Sequence, residues 1–479
     1  MKTALHPGTR LTALIVASAT FMGQLDTSVV LVALPQMAHA FGVRPVALSI
    51  GITIYILAQA ATLPGSGWVA DRFGARRVFA CALAGFTLAS VLCSACHTLP
   101  QFVAARVLQG LAAALMTPVA RLVLLQVTPK EDLVPAMTIT TVPMLVAPTL
   151  GPPIGGLIVT YLSWPWIFLL NVPVGITGVV LALKFIPRLP AAPRRPFDHL
   201  GFALVAAATG GILFGLEELS ESVVSLRVGA GFMLAGAVCG VAALRHMRSH
   251  AHPLVALTPL SRRTFMECTF IGGSIVRLPV RALPFVLPLL FQVVLGFSAL
   301  RAGLLLLATN GGDLLLKGMT AHSLRRWGFR TVLLSSTAAM MAAMAACALL
   351  AGPSTYWLLF ALLVVSGAAR SLLFTGISTL AFADITPQEL SSASVWWNLG
   401  VQMTGALGVS LAAILLNLVA LALGQPVGHL TLRGCQAVLL IMTAAGLAAL
   451  ITFARLPRDA GARVSGHEVD RGGADEALE

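Results

Sequence analysis

The chain is a succession of apolar runs, each about twenty residues long or longer, and the short breaks between them collect most of its charges. A run of roughly 20 apolar residues can cross a bilayer core ~30 Å thick. In hydrocarbon, a lone segment satisfies its own backbone polar groups only as a helix. Fourteen such runs are read from the sequence: 11–36, 46–70, 77–97, 99–124, 134–160, 166–186, 199–217, 226–244, 265–295, 302–322, 331–351, 355–381, 390–422 and 434–455. The expected fold is an all-α membrane protein, and an even number of crossings puts both termini on one side. Composition agrees, with 10% charged residues against about 25% in an ordinary soluble domain.

The basic residues give an orientation. With the N-terminus inside, 21 of the 31 Lys and Arg fall in inner segments, 4 (Arg44, Arg227, Arg301, Arg433) fall in outer ones, and 6 lie in or at the ends of spans. That asymmetry follows the positive-inside rule and predicts cytoplasmic termini. It also accounts for the net charge of +13 without nucleic acid, because no aromatic platform interleaves with the cations. The basic start MKTALHPGTR could open a signal peptide, but the apolar run after it continues past residue 34. A cleaved h-region has only about 7–15 residues, so the run is expected to be a retained first helix.

The sequence also repeats itself. VADRFGARRV at 69–78 resembles SLRRWGFRTV at 323–332, and VTPKEDL at 127–133 resembles ITPQELS at 385–391. The offsets, 254 and 258, are nearly one value, as expected of two homologous halves, a common plan in secondary transporters. Six spans per half leave two over. The expected division is an N-terminal six-helix bundle at 1–187, a linker with two extra helices at 188–250, a C-terminal six-helix bundle at 251–458 and a disordered tail at 459–479. The linker opens on the Pro- and Arg-rich RLPAAPRRP at 188–196.

Several residues are hard to explain as hydrocarbon filler. Asp26 stands inside FMGQLDTSVVLVALP, sixteen residues after Arg10, which is about 24 Å along a helix. A carboxylate at that depth costs roughly 2.5–3.5 kcal/mol on insertion scales, so it is a functional candidate. Arg106, in ARVLQGLAAALMTP, shares a helix face with Gln109 and is the natural counter-charge for Asp26. The alternative is that each is satisfied separately by hydroxyls, backbone or water. In GSGWVADRFGARRVF, Gly67 and Gly74 allow close approach and reversal, and Asp71 among Arg72, Arg76 and Arg77 can form a charge latch at the inner face. A merely topogenic basic loop is the plainer reading. TLGPPIGGLIV holds Gly151, Pro152, Pro153, Gly155 and Gly156, expected to bend a helix and offer a contact surface. Arg277 and Arg281, one helical turn apart in a stretch that Pro279, Pro284 and Pro288 are expected to break open, either meet an anionic or zwitterionic substrate in a central cavity with Gln109, or pair with Glu267 or Asp313 or snorkel inward. Asp313 and Lys317, also four apart, read as a local pair.

Other chemistry is set aside. CSACH at 93–97 matches a haem-attachment pattern, but it ends an apolar helix with no soluble domain to enclose a haem. No metal site, nucleophile elbow or nucleotide-binding loop appears, so the chain is expected to be no enzyme and to need no cofactor beyond a proton gradient. A sensor or scaffold would need a sizeable soluble domain.

Together these motifs resemble the major facilitator superfamily, in its fourteen-span drug:proton antiporter branch, over essentially the whole chain. GWVADRFGARR is similar to the family's loop signature after the second span, RVLQG to its fourth-span signature, and GPPIGG to the fifth-span antiporter signature. LDTSVVLVALP, WPWIFLLNVPVG and the start of the second half at 282–307 are similar to markers of the branch, with Ser28, Leu31, Ala147 and Pro165 departing from the pattern. The resemblance implies a proton-coupled exporter of small molecules in a bacterial inner membrane, working by alternating access. In it, Asp26 would be the protonatable residue, Arg106 a participant in proton transfer and Asp71 part of the latch. An uptake symporter on the same fold is the alternative. The implied partners are substrate, protons and membrane lipid; a periplasmic adaptor has no signature in the sequence.

Overall fold

A computed structural model describes residues 7–43, 48–187, 196–221, 226–297, 299–350, 352, 355–426, 430–457, 459–461 and 464. The stretch at 188–195 and the tail after 464 lie outside the described residues. Every regular element among the described residues is helical. In chain order these are α1 (Pro7–Phe41), α2 (Ser49–Thr62), α3 (Ser66–Phe73), α4 (Ala75–Ser94), α5 (Leu99–Val127), α6 (Leu133–Tyr161), α7 (Pro165–Leu169), α8 (Asn171–Phe185), α9 (His199–Glu221) and α10 (Leu226–Ser249). There follow α11 (Thr258–Ser261), α12 (Arg263–Thr269), α13 (Gly272–Pro288), α14 (Ala299–Lys317), α15 (Thr320–Leu349), α16 (Tyr356–Ala381), α17 (Leu390–Ala422), α18 (Leu432–Leu447) and α19 (Ala449–Ala454).

Eleven helical segments among the described residues are long and apolar enough to cross a bilayer, against fourteen runs expected. The other three runs differ for separate reasons. The run at 46–70 stops as α2 after 14 residues, where Pro64 sits in a 3-10 turn, Leu63–Gly65, before α3 resumes. The run at 134–160 is one 29-residue helix, α6, whose side chains are only partly described. The run at 302–322 is covered by α14, which holds Arg301, Asp313 and Lys317 within 19 residues.

By compactness the chain forms two units. One comprises Met1–Thr128, Ile139–Ser261 and Thr386–Ile414; the other comprises Pro129–Thr138, Arg262–Ile385 and Leu415–Glu479. The internal repeat has a structural signature in each. Gly74 separates α3 from α4 at φ 86°, and Gly328 breaks α15 at φ 72°, 254 positions later. Side chains rarely adopt that backbone region, so glycine is needed at both reversals. A second pair lies 257 positions apart. A Cβ at Gly110 of α5 would meet the Tyr55 carbonyl of α2 at 2.5 Å, and one at Gly367 of α16 would collide with the Thr309 carbonyl of α14. Each unit therefore contains a helix crossing so tight that only glycine fits.

The extra pair α9 and α10 uses the same principle. Gly211 and Gly215 lie along α9, and a Cβ at Gly215 would sit 2.7 Å from the Gly229 carbonyl of α10. This is the small-residue spacing that lets helices approach backbone to backbone in lipid. The pair joins the first unit through α2, where Thr209 donates to the Ala60 carbonyl at 3.3 Å and Thr53 to Glu217 at 2.8 Å.

Asp198 fixes the entry into α9. Its Oδ1 accepts the Gly201 N–H at 2.8 Å and lies 2.8 Å from His246 Nε2 on α10, while Oδ2 accepts the Leu254 N–H. Burial alone would raise this carboxyl, but the hydrogen bonds from Gly201, His246 and Leu254 outweigh it and hold the group below the usual carboxylate range. Its stabilisation is complete above the ordinary carboxylate pKa of ~3.9 and is lost as pH falls through the lowered folded value. Asp198→Ala is expected to cost about 0.5–2 kcal/mol near neutral pH. Thermal midpoints of the purified wild type and variant should converge as the pH drops below about 3.9. A gap unchanged over that range would refute this account of Asp198.

Candidate functional site

Four helices of the first unit bring hydrogen-bonding side chains together in an otherwise apolar interior, and a fifth, α2, adds a backbone carbonyl and an aromatic ring. Asp26 on α1 is 2% exposed, and Arg106 and Gln109, one turn apart on α5, are fully buried. Arg106 Nη1 donates to Asp26 Oδ2 at 2.8 Å, forming a fully buried ion pair. Asp26 Oδ1 accepts from Gln109 Nε2 at 2.9 Å and from Asn171 Nδ2 at 3.0 Å. Ser90 on α4 ties the two amides together, accepting from Gln109 at 2.9 Å and from Asn171 at 3.3 Å. Arg106 also gives Nε to the Gly51 carbonyl of α2 and Nη1 to Gln109 Oε1. Its guanidinium lies over the Tyr55 ring, 4.4 Å from the centroid.

The geometry has a physical reading. A buried ion pair repays its desolvation only when further hydrogen bonds satisfy the remaining polar atoms. Here both carboxylate oxygens are met, one by a guanidinium and one by two amides. Arg106 Nη2 has no hydrogen-bond partner among the described residues. The cluster is thus built around the carboxylate and leaves the cation with one unused donor nitrogen. A proton arriving at Asp26 would remove the charge against which all these donors are oriented.

The second unit has its own network. Asp313 on α14 lies 3.6 Å from Lys317 and accepts from Arg370 Nε on α16 at 3.1 Å. Arg370 Nη2 donates to Asn310 at 2.9 Å, and Lys317 to Thr375 at 3.1 Å. The local pair expected between Asp313 and Lys317 is therefore part of a larger cluster through Arg370.

Arg277 and Arg281 do not act together. Arg277 is buried and donates to the Thr269 carbonyl at 3.1 Å, in the break between α12 and α13. Arg281, one turn on, is exposed.

In the inner-loop motif, a Cβ at Gly67 would lie 2.7 Å from Ser391 Oγ and 3.2 Å from Val395, so α3 rests directly on the first turns of α17. Asp71 is half-buried on α3; Arg72 and Arg77 are exposed, and Arg76 donates to the Leu183 carbonyl near the end of α8. The helix α6 continues through Gly151, Pro152, Pro153, Gly155 and Gly156 to Tyr161. Gly151 is its contact point, because a Cβ there would collide with Ser28, two residues from Asp26. A Cβ at Gly156 would meet nothing. The cysteines of CSACH pack as small residues, Cys93 donating to Gln109 and Cys96 to the Leu92 carbonyl.

Sequence reading misses Ser90, Tyr55, Asn171, Asn310 and Arg370. Asn171 carries the one usable signal, as a lone amide inside IFLLNVPVG. A serine or tyrosine in an apolar run points nowhere until the helices are placed.

The comparisons decide the family. The Major Facilitator Superfamily model matches residues 16–245. The "Putative multidrug resistance protein MdtD" of Cronobacter sakazakii is 37% identical over 84% of this chain and 85% of its own length. Its namesake in Klebsiella pneumoniae is 36% identical over 93% and 94% respectively. The chain belongs to the major facilitator superfamily. Within that superfamily it falls in the multidrug efflux branch, and it is an integral membrane transporter, not an enzyme. The crystal structure of the human organic anion transporter MFSD10 (TETRAN) matches 94% of this chain and 100% of that one, with TM-score 0.66 and 16% identity. That likeness shows a shared fold.

The buried pair makes a prediction independent of transport. Arg106→Met leaves Asp26 uncompensated and is expected to cost about 3–5 kcal/mol. Adding Asp26→Leu should recover most of that loss. If thermal midpoints in detergent show the two changes to be additive, the pair is not energetically coupled.

Proposed function

We propose that this transporter is a proton-coupled exporter of small molecules with fourteen spans and both termini in the cytoplasm of a bacterial inner membrane. One observation carries the reading. A carboxylate only 2% exposed is held by a guanidinium and two amides from α5 and α8. The names of the bacterial relatives, multidrug resistance proteins, support export of amphiphilic compounds.

In this mechanism Asp26 cycles between a charged, fully bonded state and a protonated one. Protonation ends the ion pair with Arg106 and weakens the acceptor for Gln109 and Asn171, loosening α1 from α5 and α8. Loss of the proton restores all three bonds. Alternating access follows if the two states favour openings to opposite sides of the membrane. The contact of Gly67 with Ser391 and Val395, beside Asp71, serves as a latch that holds one of them. One acid suffices energetically. A proton entering down ~100 mV releases ~2.3 kcal/mol, and each pH unit adds ~1.4 kcal/mol. Together these would sustain a gradient of several hundred-fold in a neutral substrate.

The decisive variant is Asp26→Asn, which keeps the size and an acceptor oxygen but cannot titrate. In proteoliposomes it should bind substrate, remain folded and lose proton-driven export. In an efflux-deficient host it should lose the tolerance given by wild type. Substrate-dependent proton flux at the wild-type rate in Asp26→Asn would end this proposal. A second variant probes the latch: Gly67→Val, which wedges α3 from α17, should lower the export rate at least about tenfold while leaving the Asp26 cluster intact.

A further inference from the structure

Asp198 sits at one end of the α9–α10 pair, where the chain enters α9 and leaves α10, and two imidazoles of α10 close on its carboxyl group. His246 and His250 are one helical turn apart and stack their rings, with centroids 4.8 Å apart and planes at 24° to each other. His246 Nε2 is 2.8 Å from Asp198 Oδ1. One ligating atom from each of the three side chains lies within 4.8 Å of the other two. In a tetrahedral centre with bonds of about 2.0–2.2 Å, ligand atoms stand roughly 3.3–3.6 Å apart. Small side-chain rotations therefore bring all three to one ion. Sequence spacing hides the group, because HMRSH at 246–250 matches no metal motif and Asp198 lies 48 positions before His246.

The carboxylate is already oriented for an ion. The Gly201 N–H holds Oδ1 at 2.8 Å and the Leu254 N–H holds Oδ2 at 3.2 Å, the outer support that fixes a ligating carboxylate. An ion inserted between Oδ1 and Nε2 replaces the hydrogen that now bridges them, which moves to Nδ1 or to water. Asp198 is buried, His246 half-buried and His250 exposed, so solvent can supply a fourth ligand. Two imidazoles with one carboxylate suit zinc, nickel or copper, whereas magnesium and calcium prefer oxygen ligands. Arg245 and Arg248, exposed on the same helix, further disfavour a hard cation held by charge alone.

The contacts of the site continue to α17. Leu254 is bonded to Asp198. Two residues on, Ala256 donates its N–H to Ser392 Oγ at 3.1 Å and accepts from Trp396 Nε1 at 2.9 Å. Ser391 and Val395, beside those contacts, are the α17 residues on which Gly67 rests. All of these residues belong to the first unit.

We propose that Asp198, His246 and His250 bind one zinc-like divalent transition-metal ion, and that the ion clamps the end of the α9–α10 pair and residues 254–256 to α17. This goes beyond the exporter reading and stands or falls without it, because its test measures binding and backbone protection rather than transport. The untagged full-length protein in detergent is stripped with EDTA, freed of chelator and titrated with Zn2+ by calorimetry, with Mg2+ as competitor. Hydrogen exchange is then followed at the amides of Leu254 and Ala256.

Wild type should take up one zinc ion per chain and keep it in a large excess of Mg2+. His250→Gln, at an exposed position, should fold and bind zinc about tenfold or more weakly. His252→Gln, which changes an exposed histidine outside the cluster, should bind as wild type does. Zinc should slow exchange at both amides in wild type and not, at the same concentration, in His250→Gln. The site is overturned if wild type binds no zinc, if His250→Gln binds as tightly as wild type, or if Mg2+ displaces the ion at comparable concentration. An equal loss in His252→Gln assigns the ion to loose surface histidines and overturns it too. Zinc that binds without slowing exchange at the two amides overturns the clamp.

Discussion

Charge removed from water has to be met inside the protein, and the helices of this transporter are arranged around that requirement. In the first unit the carboxylate's demand is met in full: a carboxylate, a guanidinium, two amides and a hydroxyl form one hydrogen-bonded cluster. Four different helices supply the side chains, with a fifth adding a backbone carbonyl to Arg106. A cluster of that kind reports its own charge state to every helix in it. A change of charge at Asp26 would therefore act on five helices at once, whereas an apolar core offers no such site.

In the second unit the demand is met only in part. One acid, Asp313, serves two cations, Lys317 and Arg370. The two units share glycine-set helix crossings but not a polar lining.

Much of this was legible in the sequence, and the limits have physical causes. The apolar runs announced the helices, because a segment in lipid has no other way to bond its backbone. Two short matches at one offset announced the repeat, and Gly74 and Gly328 carry it into the backbone. Asp26 and Arg106 stood out because charge is rare in such runs. The partners did not, since Ser90 and Asn171 gain meaning only when α4 and α8 are brought beside α5. Arg277 and Arg281 have the same spacing as any pair one turn apart. What separates them is the interruption at Thr269, which gives the first a carbonyl to hold and leaves the second open. Pro64 had a similar effect, turning one expected span into two shorter helices.

The glycines at 110 and 367 have an evolutionary implication. Where two helices meet through bare backbone, their separation is set by atoms common to every residue rather than by interlocking side chains. Substitutions around such a pivot can exchange one lining for another without altering how the rods cross. The same kind of crossing can in this way carry a single ion pair in one unit and a three-membered charge cluster in the other, with the scaffold left in place.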